Sequence, residues 1–297
     1  MPMSNENTFE FTHHIITVAP DVKLHYVAAG QDGPLVVLLH GYPQTWKAWS
    51  GVMPALVGAG MSVIAVDYRG AGDSSKPLSG YDKRTMAADM DAIIAAVRKP
   101  DQLLVVVGHD IGMMIGVTYA FEFPAALTGL VLVDAPIPGT SGFSALRGNP
   151  RLWHFAFHGA RDIPEMLTAG RESDYIASFI RERVSVPGAV STADIETYGQ
   201  VYARPGAMRA GFELYRAFPE DEEFIRERLG SVGRLSTPVL AVGGELSLSS
   251  TLLGEMASEI STNSHLEIVP GAGHWVPDQA PDHLAHLIID FVQGGNQ

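Results

Sequence analysis

Short apolar runs rich in β-branched residues recur along the chain, with turn-forming residues between them. The first two, at residues 14–20 and 22–30, alternate apolar and polar positions, which predicts an antiparallel hairpin with one face in water. The later runs are continuously apolar, which predicts parallel strands covered on both faces. They lie at residues 34–41, 62–70, 102–110, 129–136, 237–244 and 266–271.

Segments of helical length separate several of these runs, at residues 83–99, 113–123 and 282–293. Alternating strands and helices are typical of an α/β fold in which helices cover both faces of a mostly parallel sheet. With the runs above, this pattern predicts an eight-stranded sheet.

The alternation stops near residue 136, and the stretch before the next strand is polar and aromatic with only short amphipathic helical patterns. We therefore predict a core in two parts, residues 1–136 and 234–297, interrupted by a helical cap at residues 137–233. Ligands of such sheets bind beyond the carboxyl ends of the strands, so an insertion at this point would cover the site as a lid.

Composition narrows the class of protein. Of 297 residues, 46% are hydrophobic and 18% are charged, which is typical of a globular domain, and the apolar runs are too short to span a bilayer. A net charge of −13 disfavours nucleic acid and anionic membranes as partners. The first fifteen residues carry no export signal, so we predict a cytoplasmic protein. The absence of cysteine excludes disulfides, thiolate metal sites and cysteine nucleophiles.

The segment GHDIG at residues 108–112 joins an apolar run to a helical pattern. Its spacing is that of a nucleophile elbow, with Asp110 in the place usually taken by serine. Asp134 and His274 also follow strand-like runs. A nucleophile, an acid and a histidine in this chain order are typical of the α/β-hydrolase fold.

A fourth element is HGYPQTW at residues 40–46, directly after another predicted strand. In this fold the loop there supplies one amide of an oxyanion hole, and the residue after the nucleophile supplies the other. The amides of Tyr42 and Ile111 are therefore predicted to form that hole.

Several motifs together resemble the α/β-hydrolase epoxide hydrolases, and most of all the Cif-like branch of that family, from about residue 20 to the C-terminus. The resemblance implies Asp110 as nucleophile, His274 as the base that activates water and Asp134 as its acidic partner. It also implies that His154 and Tyr215, both in the cap, hold the epoxide oxygen. The motifs are HGYPQTW, VDYRGAGDSSKP, VGHDIG, DAPIPG, WHF, YRAF and GAGHWVP.

Plainer interpretations of the same residues stay open. His154 and Tyr215 each lie among aromatic residues at helical spacing, a pattern that usually marks a core. Glu245 is a second candidate for the acid, although Ser247 stands where an aspartate would be expected in that case. A hydrolase fold kept only for ligand binding is a third alternative.

The main rival is a haloalkane or haloacid dehalogenase, which uses the same aspartate nucleophile. Fluoroacetate dehalogenases carry arginines just after the nucleophile, and haloalkane dehalogenases carry a tryptophan there. Here Ile111 and Met114 occupy this stretch, and we expect no cation within reach of the site. A buried carboxylate without a partner is costly, which disfavours a haloacid.

The cap also suggests the kind of substrate. Phe143, Trp153 and Phe155 are predicted to contact an uncharged, largely hydrophobic small-molecule epoxide. No cofactor is implied, and the histidines have no metal-ligand spacing. Neither nucleic acid nor membrane is expected as a partner, and a homodimer is left open.

Overall fold

A computed structural model describes residues 10–294. The first nine residues of the predicted core and its last three lie outside the described residues. The chain forms one eight-stranded sheet with the order β1-β2-β4-β3-β5-β6-β7-β8. Its strands are β1 (Thr12–Ala19), β2 (Val22–Ala29), β3 (Leu35–Leu39), β4 (Ser62–Asp67), β5 (Leu104–His109), β6 (Gly129–Val133), β7 (Val239–Gly244) and β8 (Ser264–Val269).

Strand pairing follows the hydrophobic pattern of the sequence. The first two strands form an antiparallel hairpin, β2 is also antiparallel to β4, and every other neighbouring pair is parallel. All residues of the continuously apolar strands β3, β5 and β6 are buried. The predicted α/β class and the eight-stranded, mostly parallel sheet are therefore confirmed.

Helices cover both faces of the sheet. Methionines and isoleucines of α2 (Lys83–Val97) and α3 (Ile111–Glu122) pack on one face, and apolar residues of α1 (Met53–Gly58) and α13 (Pro281–Gly294) pack on the other. The helices outside the cap interval are α1 (Met53–Gly58), α2 (Lys83–Val97), α3 (Ile111–Glu122), α11 (Ser250–Ile260), α12 (Val276–Gln279) and α13 (Pro281–Gly294).

The interval between β6 and β7, all of which is described, contains helices and no strand. This agrees with the helical pattern of the sequence, while the exact cap boundaries at 137 and 233 stay predictions. The helices are α4 (Ser141–Leu146), α5 (Trp153–Gly159), α6 (Ile163–Thr168), α7 (Glu172–Glu182), α8 (Thr192–Tyr202), α9 (Ala207–Arg216) and α10 (Phe218–Ser231).

A buried ion pair ties these helices to the core. Lys83 begins α2, and its ammonium group donates to Asp221 of α10 at 2.7 Å and to the Leu214 carbonyl of α9 at 2.9 Å. The backbone N–H of Lys83 also donates to Asp221, at 2.7 Å. Because both side chains are almost fully buried, at 1% and 3% exposure, neither charge has water as an alternative partner.

We predict that Lys83→Met destabilises the protein by about 3–5 kcal/mol, because it leaves the buried Asp221 carboxylate without its cation. The double variant Lys83→Met, Asp221→Asn should recover most of that loss, because it removes the unpaired charge and keeps an acceptor for the backbone N–H of Lys83. Urea unfolding gives both free energies.

The matched control is Lys99→Met, which removes the exposed pair between Lys99 and Asp32 and should cost less than about 1 kcal/mol. Equal losses in the two lysine variants would contradict the anchoring role of Lys83.

Candidate active site

Asp110 lies in a strained turn between β5 and α3. Its φ is +51°, a value that costs energy for any residue except glycine. The turn is also crowded, since a Cβ at Gly108 would overlap the Gly112 carbonyl and a Cβ at Gly112 would overlap that of Leu39. The two glycines of the GHDIG segment are therefore required by packing, and they let the backbone reverse sharply at Asp110.

The two carboxylate oxygens of Asp110 have different surroundings. Oδ1 accepts a hydrogen bond of 2.9 Å from the backbone N–H of Tyr42, whereas Oδ2 lies 3.8 Å from His274 Nε2. A side chain at Gly41 would collide with Asp110, which explains the glycine before Tyr42. Ile111 is the buried first residue of α3, and the role of its amide in the oxyanion hole stays a prediction.

His274 lies between Asp110 and Asp134. Its Nδ1 is 3.4 Å from Asp134 Oδ2, a loose contact, and that oxygen has no hydrogen-bond partner in the described part of the chain. Asp134 is fully buried directly after β6, and its Oδ1 accepts a 2.7 Å hydrogen bond from the Ser249 hydroxyl. The structure thus brings together the three residues that the chain order singled out.

Opposing effects act on the pKa of His274. Burial of the ring lowers it, but contact with Asp134 and the negative charge of Asp110 outweigh burial, so the net pKa is raised above the usual 6.5. Protonated His274 is stabilised while both carboxylates are ionised.

The alternative acid, Glu245, lies elsewhere. Its side chain is exposed and accepts a 2.7 Å hydrogen bond from the backbone N–H of Gly271. Ser247 lines the cavity instead, with its hydroxyl 3.2 Å from that of Ser249. Ser247, where an aspartate would be expected, thus connects through Ser249 to the carboxylate of Asp134.

Neighbouring elements hold the loop that carries His274. The ring of His109, directly before Asp110, donates from Nε2 to the His274 carbonyl at 2.8 Å. Trp275 is fully buried, and its indole N–H donates to the Ile180 carbonyl of α7 at 3.2 Å. The cap and the strand ends thus position the loop together.

A cavity of about 190 Å³ lies where these residues meet the cap helices. Besides the aspartates and His274, its lining includes Tyr42, His154, Phe155 and Tyr215. His154 of α5 and Tyr215 of α9 are adjacent, with ring centroids 5.6 Å apart. Both aromatic side chains implied by the resemblance therefore border the same space as Asp110.

The electrostatic surroundings keep both cap residues uncharged. Burial, reinforced by the nearby Arg183 cation, lowers the pKa of His154 far below its usual value. Burial, reinforced by the negative charge of Asp110, raises the pKa of Tyr215 well above its usual value. A neutral imidazole and a neutral phenol are each able to donate one hydrogen bond.

Of the three predicted substrate contacts, only Phe155 lines the cavity. Phe143 is fully buried behind it, with ring centroids 5.9 Å apart. Trp153 is 38% exposed, and its indole N–H donates to Glu182 at 3.2 Å. The structure thus gives Phe143 a packing role and places Trp153 near the surface.

Comparison with known proteins gives the family. A family model described as alpha/beta hydrolase fold matches residues 34–281. The chain is 34% identical to the soluble epoxide hydrolase of Corynebacterium sp. (strain C12), over 95% of this chain and 97% of that protein.

Solved structures agree with this assignment. Cfl2 from Burkholderia cenocepacia is similar with a TM-score of 0.89 and 35% identity, over 97% of this chain and 98% of that one. The epoxide hydrolase CorEH is similar with a TM-score of 0.85 and 30% identity, over 96% and 99%. The chain belongs to the alpha/beta hydrolase fold family. The predicted resemblance to the epoxide hydrolases is confirmed.

The expectation that no cation lies within reach of the site is wrong. Arg151 and Arg183 line the cavity, so cations do lie within reach of the site. Both come from the cap, far along the chain from Asp110, and no sequence spacing links them to it. Ser249 was also missed, because its bond to Asp134 joins residues 115 positions apart.

In residues 10–294, no group of three or more His, Asp or Glu side chains is placed to hold a metal ion. Over the same range, no helix has both the length and the apolar character needed to cross a membrane.

We predict that Asp134→Asn lowers the pKa of His274, because it removes the carboxylate that raises this pKa while the burial that lowers it remains. The control Glu245→Gln should leave the value unchanged. NMR titration of the His274 ring measures both. A larger fall in the Glu245 variant would instead make Glu245 the partner of His274.

Proposed function

We propose that this α/β hydrolase converts an uncharged, largely hydrophobic epoxide to a vicinal diol through an ester on Asp110. One observation carries the proposal. A single cavity is bordered by the Asp110 carboxylate, by His274 and by two uncharged hydrogen-bond donors of the cap, His154 and Tyr215. An epoxide needs a nucleophile at carbon and donors at oxygen, and this set supplies both.

In the first step an oxygen of Asp110 forms a bond to one epoxide carbon, and the carbon–oxygen bond of the ring breaks. Oδ2 is the candidate nucleophile because the Tyr42 amide already occupies Oδ1. The ring oxygen receives the electron pair, accepts hydrogen bonds from His154 and Tyr215, and takes the phenolic proton of Tyr215. A carboxylate suits this step because the ester it forms can be hydrolysed, whereas serine would form a stable ether.

In the second step His274 takes a proton from water, which attacks the ester carbonyl carbon of Asp110. The Tyr42 amide stabilises the oxyanion, with the Ile111 amide as its proposed partner. Collapse returns the Asp110 carboxylate and releases the diol. The two protons of that water go to the new hydroxyl group and to Tyr215, so the enzyme is restored.

Dehalogenation is the alternative with the same nucleophile. Ile111 and Met114 follow Asp110, so neither an arginine nor a tryptophan is present there. Arg183 is a cation in the cavity, but its guanidinium donates to His154 and Phe179 and pairs with Glu182. Arg183 is therefore less available to a haloacid carboxylate. Arg151, the other arginine of the cavity lining, is exposed, so solvent screens its charge. These surroundings favour the epoxide.

Within the family we assign the chain to the Cif-like branch. The assignment rests on the motifs HDIG, APIP and WHF. His154 is a departure from the epoxide hydrolase pattern, because most members of that family have a second cap tyrosine in its place.

A panel of aryl and alkyl epoxides, haloalkanes and fluoroacetate tests the proposal, with diol and halide release followed together. We predict turnover of the epoxides without added metal or nucleotide, and no fluoride release from fluoroacetate. Asp110→Ala should abolish diol formation, because it removes the nucleophile that forms the ester. Halide release faster than diol formation would instead support a dehalogenase, and no turnover of any class would support the ligand-binding alternative.

A further inference from the structure

Arg183 lines the cavity and contacts the ring of His154 there. It follows the last residue of α7, and its side chain is only 13% exposed. Nη2 lies 2.8 Å from His154 Nδ1, and Nη1 donates to the Phe179 carbonyl at 3.0 Å. Cζ is 3.9 Å from the centroid of the Phe179 ring, and Nη1 is 3.3 Å from a Glu182 carboxylate oxygen. Contacts on several sides thus fix the guanidinium against the imidazole.

The contact determines where the His154 proton lies. Arginine has hydrogen-bond donors and no acceptor, and it stays charged in proteins. A short contact with Nδ1 is therefore favourable only if that nitrogen offers its lone pair. In a neutral imidazole the single proton is then on Nε2, the nitrogen on the opposite side of the ring from Nδ1.

A second effect acts in the same direction. Burial lowers the pKa of His154, and the adjacent Arg183 cation lowers it further. Arg183 thus opposes protonation of His154 at Nδ1, and its charge polarises the ring so that the remaining N–H is a stronger donor.

We propose that Arg183 is a positioning residue that holds His154 in the neutral tautomer with its proton on Nε2, ready to donate to the epoxide oxygen. The proposal rests on the ring-opening role given to His154 above. Arg183 itself needs no contact with the substrate, since it acts through the imidazole.

Ring opening depends on this tautomer because negative charge develops on the epoxide oxygen. With the proton on Nε2, His154 stabilises that charge beside Tyr215. With the proton on Nδ1, Nε2 would direct a lone pair at the oxygen, which is repulsive. Ester hydrolysis at Asp110 uses His274 and not His154. The Arg183 cation also lowers the pKa of His274, so the two steps are compared at a pH where the His274 ring is neutral. Under that condition Arg183 should affect the first step.

Variants at this position separate the contributions. Arg183→Met removes donor and charge, Arg183→Gln keeps an N–H donor without the charge, and Arg183→Lys keeps both on a shorter side chain. Arg181→Met is the matched control, because Arg181 lies in the last turn of α7, two residues before Arg183, and is exposed.

The first readout is the tautomer of His154. It is measured by NMR of the ring nitrogens in protein with labelled histidine, and the signals are assigned by their loss in His154→Ala. The wild type, Arg183→Lys and Arg181→Met should show Nε2 protonated and Nδ1 accepting between about pH 5 and 8. In Arg183→Met the Nδ1 signal should lose its hydrogen-bonded shift and report a mixture of tautomers.

The second readout is the single-turnover rate of ester formation with an epoxide. Arg183→Met should slow it by about tenfold, less than the roughly 10²- to 10³-fold loss for removing an oxyanion donor outright. Arg183→Gln should lie between Arg183→Met and the wild type. At a pH where His274 is neutral, ester hydrolysis should stay within about twofold of the wild type in every variant. Loss of the Arg183 charge should move the pH dependence of this step upward, because that charge lowers the pKa of His274.

An unchanged His154 tautomer and an unchanged rate of ester formation in Arg183→Met would overturn the proposal. So would a wild-type spectrum with the proton on Nδ1. If Arg183→Met does not fold, Arg183→Gln decides the same question, because it also removes the charge and is expected to slow ester formation. Failure of the wild type to open any epoxide would refute the proposed function instead, while the NMR result would still decide the tautomer.

Discussion

The site depends on a sharp backbone reversal at Asp110, which has a φ of +51° between a buried strand and a buried helix. The turn fits only because Gly108 and Gly112 leave space for neighbouring carbonyl groups. It places the carboxylate at the carboxyl end of the sheet, within 2.9 Å of the Tyr42 amide. A strained residue of this kind persists only where the surrounding packing holds it, and the central strands provide that packing.

Around this turn the protein places two histidines in opposite electrostatic surroundings. Two carboxylates raise the pKa of His274 despite its burial, whereas burial and an arginine lower that of His154. The first histidine is suited to exchange protons and the second to donate a hydrogen bond without exchanging one. Esterification of Asp110 would remove one of the negative charges that raise the pKa of His274. The pKa of His274 would therefore fall, which favours the neutral ring that ester hydrolysis needs as a base.

Patterns of local origin were predictable from the sequence. The hydrophobic pattern of the strands predicted the eight-stranded sheet. The glycine spacing around Asp110 predicted the sharp turn, because that spacing reflects contacts within a few residues and with one adjacent strand. Within the cap, the resemblance alone indicated that His154 and Tyr215 lie together, and the other contacts were not predictable. Phe143 and Trp153 share the aromatic character of Phe155, but only helix packing decides which of them lines the cavity. Arg183 meets His154 across 29 positions of chain, a distance that no periodic pattern encodes.

The central claim is that Asp110 is a covalent nucleophile, and one turnover in heavy-oxygen water tests it most directly. The enzyme is mixed in excess with an epoxide, and the oxygen content of the Asp110 peptide and of the diol is measured by mass spectrometry. Because water attacks the ester carbonyl, the label should appear in the Asp110 carboxylate, and the diol should be unlabelled. A labelled diol with an unlabelled Asp110 would mean that water attacks the epoxide directly, which would contradict the account.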